Sequence, residues 1–218
     1  MQRRGCWYKG VAALMATAIL LSSGGCVEVF TTAAYLFNGT DVGAEYPGLK
    51  GKKVVVVCRP LASLQFCDTF TPKELATRVG AILAKNVSKI NVVDQHKVAA
   101  WADEHNWQEY PEVGKALGAD IVVGIDLTSF STYQGPTLYQ GKATAAIRVF
   151  DLKDEDKVVW QTELPQLLYP HNVAVPSAEK TEADFRSEFT AYLAKRIAKY
   201  FHSHDPHDDM AEDADAFH

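Results

Sequence analysis

The stretch KKVVVVCRP, residues 52–60, decides the fold class of this chain. Its centre, residues 54–57, is an uninterrupted run of valine. A strand with one face in water alternates apolar and polar residues instead, whereas a continuous β-branched run is typical of a strand covered on both faces. The stretch therefore predicts a buried strand in a sheet that is flanked by helices.

The residues after this strand predict a helix with a defined start. Thr71 is suited to cap the helix, Pro72 fits its first position, and Glu74 completes a capping box. Apolar residues then recur at helical spacing, at Leu75, Val79, Ile82 and Leu83. This stripe is expected to pack in the core.

The alternation of strands and helices continues along the chain. A short strand at 89–94 ends in Asp94, which is suited to cap a helix over 95–106. A short helix that stops at Gly118 then leads to a buried strand over 121–127.

The second half of the chain predicts antiparallel structure. After a loop around Gly135, apolar and polar residues alternate, and a charged turn leads to a second alternating run, so residues 139–164 predict a hairpin. A last helix with an aromatic stripe begins at Thr181. The whole pattern predicts a single α/β sandwich, with a mixed sheet of about five strands and helices packed on it.

The N-terminus carries the features of an export signal. Basic residues precede an apolar run at 11–21, and the small residues of LSSGGC end in Cys26. This arrangement resembles the lipobox of bacterial lipoproteins, so residues 1–25 are expected to be a signal peptide and Cys26 to be lipidated. A plain secretory signal and an uncleaved N-terminal anchor are the alternatives.

Composition bounds the remaining organisation. Residues 26–50 are expected to be a tether, 51–203 the α/β domain, and 204–218 an acidic, histidine-containing disordered tail. The chain has a formal net charge of −5, with six acids and no lysine or arginine in 205–218. Nucleic acid is therefore not an expected partner.

The two cysteines of the predicted domain allow two interpretations. Cys58 and Cys67 bracket a short loop, so they form a disulfide if their Cα atoms approach within about 7 Å. Otherwise they are two half-buried thiols. No second ligand at metal spacing lies beside them, which argues against a metal or catalytic role.

The C-terminal histidines are weak candidates for a metal site. His202, His204 and His207 are suited to zinc or nickel, but a disordered tail provides no rigid frame for them. We therefore expect no metal site and no cofactor.

The sequence contains no recognisable catalytic motif. There is no Gly-x-Ser-x-Gly, no glycine-rich phosphate loop and no His-Glu-x-x-His. Asp126 and Glu163 are the one carboxylate pair to consider, and any chain with 27 acids offers such pairs. No catalytic residue is assigned, and an enzyme is not expected.

Two further stretches, INVVDQHKVAAW at 90–101 and ALGADIVVGIDLTSF at 116–130, carry a resemblance. With the first strand and helix they resemble the periplasmic α/β domain shared by the N-terminal part of TolB, the curli-secretion lipoprotein CsgG and the LpoB-type activators of penicillin-binding proteins. The resemblance covers about 52–165. It implies a binding or assembly role and transfers no catalytic residues.

These observations predict a lipid-anchored cell-envelope protein that docks another envelope protein without catalysis. The membrane is a partner through the lipid at Cys26. Because Val27 rather than an aspartate follows Cys26, the expected location is the outer membrane, facing the periplasm. The alternatives are a metal-binding lipoprotein that uses the histidine-rich tail and a hydrolase with an unrecognised carboxylate site.

Overall fold

The structure is a computed structural model that describes residues 41–60 and 70–206. A compact unit begins at Val42 and contains all the described helices and strands. In chain order these are β1 (Lys53–Pro60), α1 (Phe70–Asn86), β2 (Asn91–Val92), α2 (Gln95–Glu104), α3 (Tyr110–Ala116), β3 (Ile121–Gly135), β4 (Leu138–Asp151), β5 (Lys157–Tyr169), β6 (Val175–Pro176) and α4 (Glu182–Ala198), followed by a 3₁₀ turn at Lys199–Phe201. Within these ranges no helix combines the length and apolarity needed to cross a membrane.

The strands form one mixed sheet in the order β2-β1-β3-β4-β5, and β6 pairs with the start of β4. β1 lies parallel to β2 and to β3, whereas β3, β4 and β5 form an antiparallel meander. The predicted α/β class and mixed sheet are confirmed.

Helices cover both faces of the sheet, as the valine run of β1 requires. Alternate β1 residues belong to different cores: Val54 and Val56 pack in the larger core, and Val55 and Val57 in the smaller one. The larger core includes buried residues of α1 and α4. The smaller core lies under α2 and α3, so this domain has helices on two sides of β1.

Two glycines set the fit of α3 on the sheet. Gly118 has a φ of +62°, a conformation that ends the helix and costs glycine little. Gly124 lies under the Tyr110 ring, where an added Cβ would be 2.8 Å from Cδ2 of that ring. The predicted helix stop at Gly118 is confirmed.

The predicted helix starts are partly correct. Asp94 caps α2 by accepting a hydrogen bond from the His96 amide at 2.9 Å, and Thr181 caps α4. By contrast, α1 begins at Phe70, so Thr71 lies inside its first turn. The Glu74 carboxylate accepts hydrogen bonds from Arg78, at 2.9 Å from Nε.

The antiparallel part is longer than the sequence pattern predicts. β3 continues through Gly135, so the expected loop after residue 127 is the second half of a long hairpin with β4. Its polar side chains pair across the strands, as where Thr128 and Ser129 lie 2.7 Å from the Thr144 hydroxyl. In this part of β3, hydrogen bonds between polar side chains hold the strands together. The alternation of apolar and polar residues that predicts a strand is therefore absent.

Residues on the outer side of both predicted domain boundaries contact the described body. Leu49, placed in the tether by the sequence, is fully buried in the larger core. Val42 forms an antiparallel bridge with His204, the first residue of the predicted tail. Residues 1–40, which include the predicted signal peptide and most of the tether, and residues 207–218 of the predicted tail lie outside the described residues.

Candidate functional site

A groove of about 1020 Å³ opens along the edge of β1. It exists because β2 has only two residues and pairs with β1 only at Lys53 and Val54. Beyond these positions α1 and α2 line the two sides of the groove, with Val56 and Val57 at its floor. The groove thus lies toward the carboxyl end of parallel strands, where open α/β sheets commonly bind ligands.

Small side chains give the groove its width. Ala76, Gly80 and Ala84 are spaced four residues apart along α1, and they share the lining with Ala99 and Ala102 of α2. The lining is mainly apolar. Because small side chains leave the helix backbones accessible, another chain can approach closely here.

Polar groups lie on the floor and across the mouth of the groove. The Gln95 side-chain amide donates to the Val56 carbonyl at 3.3 Å. At the mouth, Lys73 of α1 donates to both carboxylate oxygens of Asp103 of α2, at 2.8 and 2.9 Å. Phe70 stands beside them with 68% of its surface exposed. A large exposed aromatic side chain next to an apolar groove is typical of a binding surface.

Arg59 lines the groove where β1 nears its end. Its guanidinium carbon lies 4.6 Å from the centre of the Trp107 ring and 4.7 Å from the centre of the Tyr110 ring. It donates to the Gln108 carbonyl. No carboxylate within the described ranges forms an ion pair with Arg59, so this cation is held in place by aromatic rings and a backbone oxygen.

Behind Arg59 a hydrogen-bonded network fixes Tyr110. Its hydroxyl donates to Asp126 Oδ1 at 2.7 Å, and Arg148 forms an ion pair with the same carboxylate. Burial, and then the hydrogen bond to Asp126, raise the pKa of Tyr110 above its ordinary range. Asp126 in turn raises the pKa of Arg148. The phenol therefore stays protonated at neutral pH and serves as a fixed platform rather than an acid or base.

The carboxylates considered as a catalytic pair occupy the same row of the sheet. Asp126 and Glu163 both pair with Ala146, which places them two strands apart. Neighbouring strands lie about 4.8 Å apart, so their Cα atoms are separated by roughly 10 Å. Tyr110 and Arg148 already occupy the Asp126 carboxylate.

The predicted cysteine sites are described only in part. Cys58 lines the groove as a half-buried thiol, and burial raises its pKa, which disfavours the nucleophilic thiolate. Cys67 lies outside the described residues, so the disulfide remains a prediction. Cys26, the predicted lipidation site, also lies outside them.

The two predicted histidine ligands that the structure describes, His202 and His204, are not arranged around a common metal position. The His202 and His204 rings have centroids 6.2 Å apart, and each Nδ1 lies within hydrogen-bond distance of a nearby backbone carbonyl. His207 lies outside the described residues. Among residues 41–60 and 70–206, no group of three or more His, Cys, Asp or Glu side chains is arranged to hold a metal ion.

The sequence does not predict the groove or the stacking of Arg59 on Trp107. The available pattern was an arginine that directly follows a buried strand, with aromatic residues Trp107 and Tyr110 shortly before the next buried strand. Nothing in the linear spacing indicates that they stack.

No family model matches the sequence, and no curated protein matches it either. Solved structures show similarity at low identity. Lipoprotein GNA1162 from Neisseria meningitidis is 14% identical over 67% of this chain and 97% of that chain, with a TM-score of 0.42. PelC from Paraburkholderia phytofirmans, a dodecamer, is 12% identical over 73% and 94%, with a TM-score of 0.44. The LpoB C-terminal domain from Salmonella enterica is 12% identical over 56% and 87%, with a TM-score of 0.39. Bacterial lipoproteins recur among these structures, and at these scores they assign neither a family nor an activity to this chain.

Proposed function

We propose that this protein is a lipid-anchored cell-envelope protein that binds a segment of another envelope protein in the groove beside β1. Lipidation at Cys26 would hold the protein at the membrane. The expected location is the outer membrane, with the protein facing the periplasm. The observation that carries the binding role is the edge of β1 beyond Val54, which no strand covers in the described part of the chain and which lies at the floor of a wide, mainly apolar groove.

The shape of the groove favours an extended segment. A peptide that adds to a sheet edge gains affinity from main-chain hydrogen bonds and specificity from alternate side chains. Val56 presents its carbonyl on this edge, where only the 3.3 Å contact from Gln95 engages it among the described groups. The small side chains of α1 and α2 leave room for the partner's apolar side chains on either side.

Charge specifies one end of the bound segment. Arg59 lines the groove without a carboxylate partner in the described part of the chain, and its guanidinium is held in place by two rings. A planar guanidinium recognises a carboxylate with two parallel hydrogen bonds. The proposed occupant therefore combines apolar side chains for the groove with an acidic side chain or terminal carboxylate for Arg59.

The test compares two exposed alanines in neighbouring helices. Ala81 lines the groove, and Ala100 is exposed on α2 but does not line it. Arginine is tolerated in helices almost as well as alanine, so both Ala81→Arg and Ala100→Arg are expected to fold. A photo-reactive side chain at each position, used in intact envelopes, identifies what lies beside it.

The expected result is a defined cross-linked envelope protein from position 81 and none from position 100. Capture of that partner should be lost in Ala81→Arg, retained in Ala100→Arg and weakened in Arg59→Gln. Equal cross-linking from both positions, or full capture by Ala81→Arg, would exclude the groove as the binding site.

A further inference from the structure

Four lysines lie in the two adjoining segments that lead into β1 and β2. Lys50 and Lys52 lead into β1, while Lys85 and Lys89 lie at the end of α1 and in the turn before β2. The two segments adjoin, because the Asn91 amide donates to the Lys52 carbonyl at 2.9 Å. We call Lys50, Lys52, Lys85 and Lys89 the entry lysines.

Several lysines of the domain form salt bridges, but none of the entry lysines does so in the described part of the chain. Lys115, Lys153 and Lys157 each form an ion pair with an aspartate. Within residues 41–60 and 70–206, no ion pair involves any of the entry lysines. The nearby Asp120 carboxylate accepts hydrogen bonds from Lys153 and from the Lys53 amide, both at 2.8 Å, and Lys52 adds a weaker electrostatic attraction to it.

One entry lysine occupies a backbone conformation that disfavours it. Lys89 has a φ of +59°, in the left-handed region where glycine costs less. Lys85 alone is explained by its position in the last turn of α1, where a cation offsets the helix dipole. That explanation does not extend to Lys50 and Lys52, which precede a strand.

The cluster flanks the point at which the chain from Cys26 joins the body. Leu49 is fully buried, the Tyr46 amide donates to the Tyr200 carbonyl at 2.9 Å, and Val42 bridges His204. From Cys26 to Val42 the backbone spans at most roughly 55 Å at about 3.5 Å per residue. The end of the domain that is tied to the tether therefore also bears the four entry lysines.

We propose that the entry lysines bind anionic phospholipid headgroups of the membrane that holds the lipid on Cys26. This inference rests on the proposed lipid anchor and adds an orientation to it. Each lysine near an anionic membrane surface strengthens association about fivefold at moderate ionic strength. Contact at the entry lysines directs the opposite end of the sheet, with the Arg59 end of the groove, away from the membrane.

The experiment uses the full acylated chain, extracted in detergent and reconstituted into vesicles. One set contains phosphatidylcholine alone and the other adds phosphatidylglycerol. Amine-modification rates of individual lysines are measured by mass spectrometry, and the intact mass reports acylation of Cys26 separately. Lys142 is the internal control, because it lies far along the β3–β4 hairpin opposite Leu168.

The entry lysines should react several-fold more slowly on vesicles with phosphatidylglycerol, and high salt should restore their rates, because screening shortens the range of the attraction. Lys142 should react equally on both. Lys89→Gly, which suits the backbone at that position, should fold normally and reduce protection of the remaining three. Equal modification rates of the entry lysines on both kinds of vesicle would overturn the proposal even if Cys26 is acylated. If the entry lysines are protected but the intact mass shows no acyl group on Cys26, the headgroup contact stands and the lipid anchor of the proposed function fails.

Discussion

Replacing Tyr110 by phenylalanine tests whether the network behind Arg59 stabilises the fold. The Tyr110 side chain is only 1% exposed, and its hydroxyl donates to Asp126 at 2.7 Å and lies 3.1 Å from the Ile125 carbonyl. A hydrogen bond to a charged group contributes about 1.5–3 kcal/mol net. Since Asp126 retains Arg148 in the variant, we expect a loss of about 2 kcal/mol in the free energy of unfolding.

Tyr133 supplies the matched control. Its hydroxyl also donates to a carboxylate at 2.7 Å, that of Glu182, but the side chain is 42% exposed. Because water replaces the lost partner, Tyr133→Phe should cost only a small fraction of the Tyr110→Phe loss. Urea unfolding at neutral pH measures both, and an unchanged m-value shows that the exposed area is the same. Equal losses in the two variants would refute the role assigned to burial.

The stability of Tyr110→Phe and of the wild type at alkaline pH provides a second test of the same network. Burial and the hydrogen bond to Asp126 raise the pKa of Tyr110 from its ordinary value of 10.0. Above pH 10 the unfolded chain therefore loses a proton that the folded chain keeps, and the wild type loses stability as the pH rises. Tyr110→Phe lacks this proton, so its decline should be shallower by up to about 1.4 kcal/mol per pH unit. Parallel declines would show that Tyr110 ionises normally in the folded protein.

Three further predictions concern the anchor, the cysteines and the core. Cys26→Ala should abolish partitioning into detergent and the mass increment of the lipid, and a variant that still partitions with unchanged mass would exclude lipidation. If Cys58 and Cys67 are bridged in the exported protein, thiol counting without reductant should find neither free, and two free thiols would remove the bridge. Phe189→Ala should cost about 3–5 kcal/mol in urea unfolding, because this fully buried ring stacks on Phe130 at 5.1 Å; a loss below 1 kcal/mol would contradict its place in the core.

The sequence predicts structure best where a short segment of residues is compatible with one local structure. The valine run of β1 requires two covered faces, Asp94 and Thr181 cap helices, and the glycine at 118 ends one; all of these are confirmed. The second half of β3 was missed because its stability depends on a partner strand. Thr128 and Ser129 give no apolar alternation, and only Thr144 across the hairpin explains them.

The groove could not be predicted because it results from a difference in length between two strands. β1 has eight residues and β2 has two, and the register that pairs Lys53 with Asn91 leaves the rest of that β1 edge without a neighbouring strand in the described part of the chain. In the sequence, Ala76 and Gly80 are ordinary residues of a helix. They line a groove because the fold places α2 opposite them. Arg59 gains its environment from Trp107, 48 positions away in the sequence and 4.6 Å away in space. A binding site of this kind depends on which contacts the fold leaves unmade, and a linear motif does not encode such contacts.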